Sequence, residues 1–221
     1  MISGLLWRCP ICKTDDSINH EYRKFRPDIV SCSSCDSVWE LIRVKGADFR
    51  FKAVAGSMAG TEKPLAAWYD MIRDTFELES INPGELVLEQ GETLYFKGKP
   101  QSLFVMRVDP LFKPVVEKLP PPPEGAVGLD AMMVNIGPVD IYLTNKRKIT
   151  IYDNQQFDKS LTTVRGVEVL IDRFVILHHV KQLVEIIKLE GESPLKWRAH
   201  LDALLRPVSD ELGINIRMAY D

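Results

Sequence analysis

The chain holds four cysteines, and they form two matched pairs, Cys9-Pro-Ile-Cys12 and Cys32-Ser-Ser-Cys35, nineteen residues apart. A C-x2-C turn points two thiolates at one ion, and a second such turn at this separation completes a tetrahedral four-sulfur shell. The predicted ligands are Cys9, Cys12, Cys32 and Cys35, and the predicted ion is a single structural Zn2+. A four-thiolate shell is closed, with no open position for water or substrate, so the spacing predicts scaffold chemistry. The metal offsets the small core that about 50 residues can build.

Disulfides and iron use the same residues. Met1-Ile2-Ser3-Gly4-Leu5-Leu6-Trp7 is too short for a signal-peptide core, which argues against an oxidising compartment and for metal. No βαβ pattern surrounds either pair, so a redox C-x-x-C is not predicted. Iron also accepts four thiolates. Cys-Pro-Ile-Cys resembles one knuckle of rubredoxin, but Lys13 and Asp36 stand where that family carries Gly after the second cysteine.

At 221 residues the chain has room for one or two domains, and its 45% apolar and 27% charged composition is that of a soluble globular protein. No apolar run reaches the ~18 residues that cross a bilayer. The expected location is cytoplasmic. Residues 1–56 carry nine Lys and Arg against seven Asp and Glu, and the remainder 19 against 24. Neither part is basic enough to announce nucleic acid.

Alternation predicts strands over Ile18–Phe25, Val38–Val44 and Phe49–Val54, with a turn at Gly46-Ala47-Asp48. Two knuckles and about three short antiparallel strands resemble a zinc ribbon over residues 5–56. That resemblance implies a fold but no particular function. Residues 57–85 are predicted to be a linker, Gly56 to Lys63, and a connecting helix opened by Pro64. In that helix Leu65, Trp68, Tyr69, Ile72 and Phe76 recur at helical spacing. Core packing is the better reading of Trp68-Tyr69 than a stacking platform. The helix is expected to dock on one domain and fix the geometry of the two.

Beyond it the chain is β-rich. Leu94–Gly98 and Ser102–Val108 suggest a hairpin, followed by a proline-rich passage from Pro110 to Pro123. Strands are predicted near Gly128, at Val139–Thr144, Lys148–Tyr152, Val167–Ile171, Phe174–His178 and Val184–Leu189, with turns at Asn145-Lys146-Arg147 and Asp153-Asn154. Ser193 and Pro194 open a last helix, with Leu195, Trp197, Leu201, Leu204 and Leu205 as its apolar stripe and Pro207 as its stop. About seven strands closed by a helix bearing Trp197 resemble a pleckstrin-homology (PH)-like barrel over residues 86–206. The run Val-Asp-Ile-Tyr-Leu-Thr-Asn-Lys-Arg at 139–147 is similar to a hairpin of GRAM and bacterial PH-like domains. The fold class is therefore mainly β (α+β), a zinc ribbon plus a PH-like barrel capped by a C-terminal helix, with 207–221 as a tail.

His178-His179 does not suit one metal ion, because strand neighbours face opposite ways. His20 lies between the knuckles, but the four thiolates already fill the shell. No catalytic residues are predicted: H-E-x-x-H, Gly-rich phosphate loops and G-x-S-x-G are absent from the sequence. Arg23, Lys24, Arg26, Arg43, Lys45, Arg50 and Lys52, interleaved with Tyr22, Phe25, Trp39 and Phe49, offer nucleic acid a surface. Glu21, Asp28, Asp36, Glu40 and Asp48 oppose it. Anionic lipid would need cations at the first barrel hairpin, where only Lys97, Lys99 and Arg107 stand, in a net acidic domain. Pro120-Pro121-Pro122-Pro123 is read as a stiff surface loop in preference to a polyproline ligand. The resulting expectation is a non-enzymatic adaptor with a protein partner.

Overall fold

The computed structural model describes residues 6–44, 49–170 and 173–220, and the chain forms two compact units, Met1–Glu77 and Leu78–Asp221. The turn assigned to Gly46-Ala47-Asp48, Lys45 and Ile171 fall outside the described residues.

Unit 1 is one antiparallel sheet of five strands in sequential order, β1 (Ile18–Glu21), β2 (Asp28–Cys32), β3 (Val38–Arg43), β4 (Phe49–Ala55) and β5 (Glu62–Pro64). Alternation sends Val30, Trp39, Leu41, Phe51 and Ala53 to one face, and all five are buried. The helix α1 (Leu65–Asp74) covers that face with Trp68 and Ile72. Trp68 meets Trp39 edge-on at 5.8 Å, and its indole N–H donates to the Phe51 carbonyl at 3.4 Å. Core packing is thus the role of Trp68. Three features differ from the sequence expectation. The strands among the described residues number five. The strand expected over Ile18–Phe25 ends at Glu21 and gives way to a loop before β2. The stretch taken as linker contributes β5, because the turn after β4 folds the chain back against Arg50–Lys52.

Unit 2 has nine strands among its described residues. The first two are β6 (Leu94–Lys97) and β7 (Gln101–Met106), and they are not a hairpin. Both run antiparallel to β8 (Met133–Thr144), β6 along its C-terminal end and β7 along its N-terminal half. Gly98–Pro100 interrupts one line of chain and does not reverse it. Leu94, Phe96, Leu103 and Val105 are buried along that line. Two short helices, α2 (Lys113–Val116) and α3 (Leu129–Met132), occupy the passage between β7 and β8, which had been expected as loop followed by strand. Phe112, Val115 and Val116 anchor it, while Pro120–Pro123 are exposed.

The remaining strands are β9 (Arg147–Tyr152), β10 (Gln155–Ser160), β11 (Val164–Leu170), β12 (Phe174–His179), β13 (Val184–Lys188) and β14 (Arg217–Tyr220), in the order β10-β9-β8-β7-β13-β12-β11-β14. Asp153 and Asn154 turn β9 into β10 with both residues at positive φ, as short hairpin turns require. The predicted barrel does not close. Among the described residues β10 and β14 end the sheet without pairing to each other, and a bulge between Leu103 and Phe104 bends it where β8 passes from one set of partners to the other.

The C-terminal helix α4 (Pro194–Leu212) fills the concave side with Trp197, Leu201, Leu204, Leu205 and Val208. Ser193 caps it by accepting the Lys196 amide. Pro207 does not stop the helix. Burial of Val208 holds the next turn, and the helix ends only at Gly213, whose φ of 61° suits the left-handed cap. The chain then returns as β14, parallel to β11. Neither β10 nor β14 was predicted.

Candidate metal centre

The two knuckles leave the sheet of unit 1 at the same end, since β2 terminates at Cys32 and β1 begins at Ile18, six residues after Cys12. The Sγ atoms of Cys9, Cys12, Cys32 and Cys35 all lie within 4.8 Å of one another. The contacts cross between knuckles, Cys9 to Cys35 at 3.9 Å and Cys12 to Cys32 at 3.6 Å. Four sulfurs about 2.3 Å from a common centre in a tetrahedron stand about 3.8 Å apart, so the cage fits one ion of that bond length.

The two halves repeat one local design. The amide of the first cysteine donates to the carbonyl five residues on, Cys9 to Thr14 and Cys32 to Ser37, both at 3.0 Å. An amide two residues on donates to the first sulfur, Ile11 to Cys9 at 3.4 Å and Ser34 to Cys32 at 3.3 Å. A hydroxyl two residues on lies 3.3 Å from the second sulfur, Thr14 at Cys12 and Ser37 at Cys35. These groups supply positive dipole to thiolates and fix their directions. Lys13 takes φ of 61°, so it adopts the left-handed conformation that Gly would take most readily at this place in a knuckle.

Burial pushes the Cys9 thiol well above its ordinary value. Burial also acts to raise Cys12, but the hydroxyl and amide of Thr14 outweigh it and bring that thiol down to about 6. A metal ion would meet Cys12 as the readier thiolate and would have to displace the proton of Cys9. Gly56 closes the site from behind. A Cβ there would stand 2.8 Å from Ser37 Oγ and 2.9 Å from its Cα, and the backbone φ is 91°.

Among the described residues, the histidines and barrel cations singled out in the sequence do not gather into a site. His178 faces Glu168 at 2.8 Å, while His179 is buried between Thr163 and Glu185. His20 bonds Asp28 at 3.1 Å, away from the cysteine cage. Of the ribbon aromatics, Trp39 is buried and Tyr22 and Phe25 are exposed. Lys97 and Arg107 do not cluster, because β6 and β7 run on in one line, with Lys97 at the end of β6 and Arg107 just past the end of β7. Lys97 lies over the Tyr142 ring, and Lys99 donates to the Gly191 carbonyl.

One group of side chains was missed. Lys148 on β9, Lys159 on β10 and Glu185 on β13 meet inside unit 2, with Glu185 3.4 Å from Lys148 and 3.1 Å from Lys159. Lys159 also bonds the buried Asp109, and His179 touches Glu185 at 3.1 Å. Both ammonium groups lie within 6 Å of the Phe112 ring centroid, at 5.9 and 5.7 Å. Alternation in β10 puts Lys159 on the buried parity of Phe157, but β9 buries Lys148, Ile149 and Thr150 in succession, so nothing in its pattern marked Lys148 as inward. Every member already has a partner, so the group ties strands together.

No family model and no curated protein matches the chain. Among solved structures, the hSac2 domain from human phosphoinositide phosphatase Sac2 is similar at 13% identity, over 61% of this chain and 80% of that one, with a TM-score of 0.35. Likeness at that level carries no argument about fold or activity.

Proposed function

We propose that the chain is a non-enzymatic cytoplasmic adaptor whose first unit is a structural zinc ribbon and whose second, a PH-like module, makes contact with a protein partner. The observation that carries the reading is the cage of Cys9, Cys12, Cys32 and Cys35, with sulfur separations near those of a tetrahedral Zn–S4 centre. Zinc held there supplies cross-linking and no open coordination position. The buried Lys148, Lys159, Asp109 and Glu185 of unit 2 are ion-paired with one another, which supports a structural role for them.

Two measurements test the reading. Elemental analysis of purified protein is expected to find about one zinc per chain. An iron-containing, coloured protein would replace zinc by a rubredoxin-like centre. Affinity capture of the tagged full chain is expected to retain a stoichiometric protein partner. Capture of none, across the growth conditions in which the chain is made, would remove the adaptor role.

A further inference from the structure

The β1–β2 connection, Tyr22 to Pro27, lies at the opposite end of its hairpin from the cysteines, since β2 starts at Asp28 and ends at Cys32. It presents two aromatic side chains to solvent, Phe25 at 89% exposure and Tyr22 at 69%. A pair of large apolar side chains this open on a tip of six residues serves no packing in the fold. Three cations flank them, Arg23, Lys24 and Arg26, and the Lys24 ammonium lies 5.5 Å from the centre of the Phe25 ring.

Two of the acids counted against a nucleic-acid surface in the sequence, Glu21 and Asp28, border this tip and are already engaged. Asp28 is buried and accepts the Arg23 amide at 2.9 Å and bonds His20 at 3.1 Å, so its carboxylate shapes the loop from within. Glu21 is paired with the Arg23 guanidinium at 2.9 and 3.1 Å. Beyond the exposed Glu21–Arg23 pair, the tip presents the two aromatic rings with Lys24 and Arg26.

The sheet behind the tip decides between partners. Its outward face carries Glu21, Glu40 and Glu62 beside Arg50 and Lys52, with Arg50 paired to Glu62 at 2.8 Å. A nucleic-acid strand is held by a cationic track that follows its phosphates, and this face provides none. An anionic bilayer asks for a compact projection, with aromatic rings seated at the headgroup level and a few cations near the surface. We infer that the Tyr22–Arg26 tip docks the protein on anionic membrane surfaces, with Phe25 and Tyr22 entering the interface and Lys24 and Arg26 facing the lipid phosphates. This surface is independent of the protein-contact role given to unit 2.

The test is flotation of the full, zinc-loaded chain with vesicles of phosphatidylcholine alone or mixed with phosphatidylserine, across a salt series. Binding is expected only with phosphatidylserine and is expected to weaken with salt. Phe25→Ala should lower the partition about tenfold, and each of Lys24→Glu and Arg26→Glu at least about fivefold. Zinc content and circular dichroism should be unchanged, because none of these side chains is buried. Tyr22→Ala is a second aromatic variant if Phe25→Ala is poorly made. Failure to float with phosphatidylserine would overturn the inference. So would unchanged binding by the tip variants, loss of binding only on Lys97→Ala with Lys99→Ala, or Phe25-dependent binding to a single-stranded oligonucleotide without vesicle binding.

Discussion

Arg147 grips Glu92 through two parallel hydrogen bonds, Nε to Oε1 and Nη2 to Oε2, each 2.9 Å long. Glu92 lies in the segment that leads into β6, and Arg147 is the first residue of β9, so the fork ties a connecting segment to the β8–β9 hairpin. The carboxylate also accepts from Thr144 Oγ1 and from the Glu89 amide, both at 2.7 Å, and Arg147 reaches Asp158 at 2.7 Å.

Replacing Arg147 with Ala should cost unit 2 about 3 kcal/mol, because it leaves a buried carboxylate without its cation. Arg147→Lys keeps the charge but loses the planar fork, and should cost about 1–2 kcal/mol. Urea denaturation checks both. A loss under 0.5 kcal/mol (about the noise between surface variants) for Arg147→Ala would show that the fork is dispensable.

Metal removal should unfold unit 1 and spare unit 2. A metal held by the four thiolates would make up for the small core of unit 1, and its binding free energy would be part of that unit's folding free energy. Chelation or Cys12→Ser is expected to loosen the environment of Trp39 and Trp68, seen in near-ultraviolet circular dichroism, while the protease resistance of residues 78–220 persists. Retained ribbon signals after complete chelation would refute a structural metal.

Gly56→Ala should weaken metal binding without touching a ligand. The added methyl group would meet Ser37 Oγ and its backbone, and Ser37 Oγ lies 3.3 Å from Cys35 Sγ. The backbone there is also left-handed, which disfavours Ala by about 1 kcal/mol. Competition with a chromophoric chelator should show weaker zinc retention, and equal retention would separate Gly56 from the site.

Acid should destabilise unit 2 before the lysines matter. Burial acts to raise Glu92 and Glu185, but Arg147 and Thr144 for the first, and Lys148, His179 and Lys159 for the second, hold both below the ordinary glutamate value. A carboxyl depressed on folding contributes stability that is full above its unfolded value and lost as pH falls towards the folded one. Thermal midpoints of unit 2 should therefore drop as pH is lowered below about 4.5. Glu185→Gln should lower stability at neutral pH and flatten that fall. A profile unchanged by the substitution would mean that Glu185 is not ionised in the folded protein.

The sequence by itself determined what depends on short spacing. Two C-x2-C turns fix where four sulfurs can meet, Ser193-Pro194 starts a helix by local capping, and Asp153-Asn154 reverses the chain because both tolerate positive φ. Alternation placed β3, β4, β9 and β12 and separated His178 from His179. Only the tertiary structure decided which elements become partners. β6 and β7 look like a hairpin, yet each pairs with β8, because register is set by the face each strand must bury and not by proximity along the chain. Pro207 looks like a stop, yet burial of Val208 and the return of β14 outweigh one missing amide. Lys148, Lys159 and Glu185 have ordinary surface identities, and their enclosure follows from three strands meeting across the sheet. The same holds at the ribbon tip, where Asp28 turned inward to bind His20 and the Arg23 amide, leaving Phe25 and its neighbouring cations to solvent.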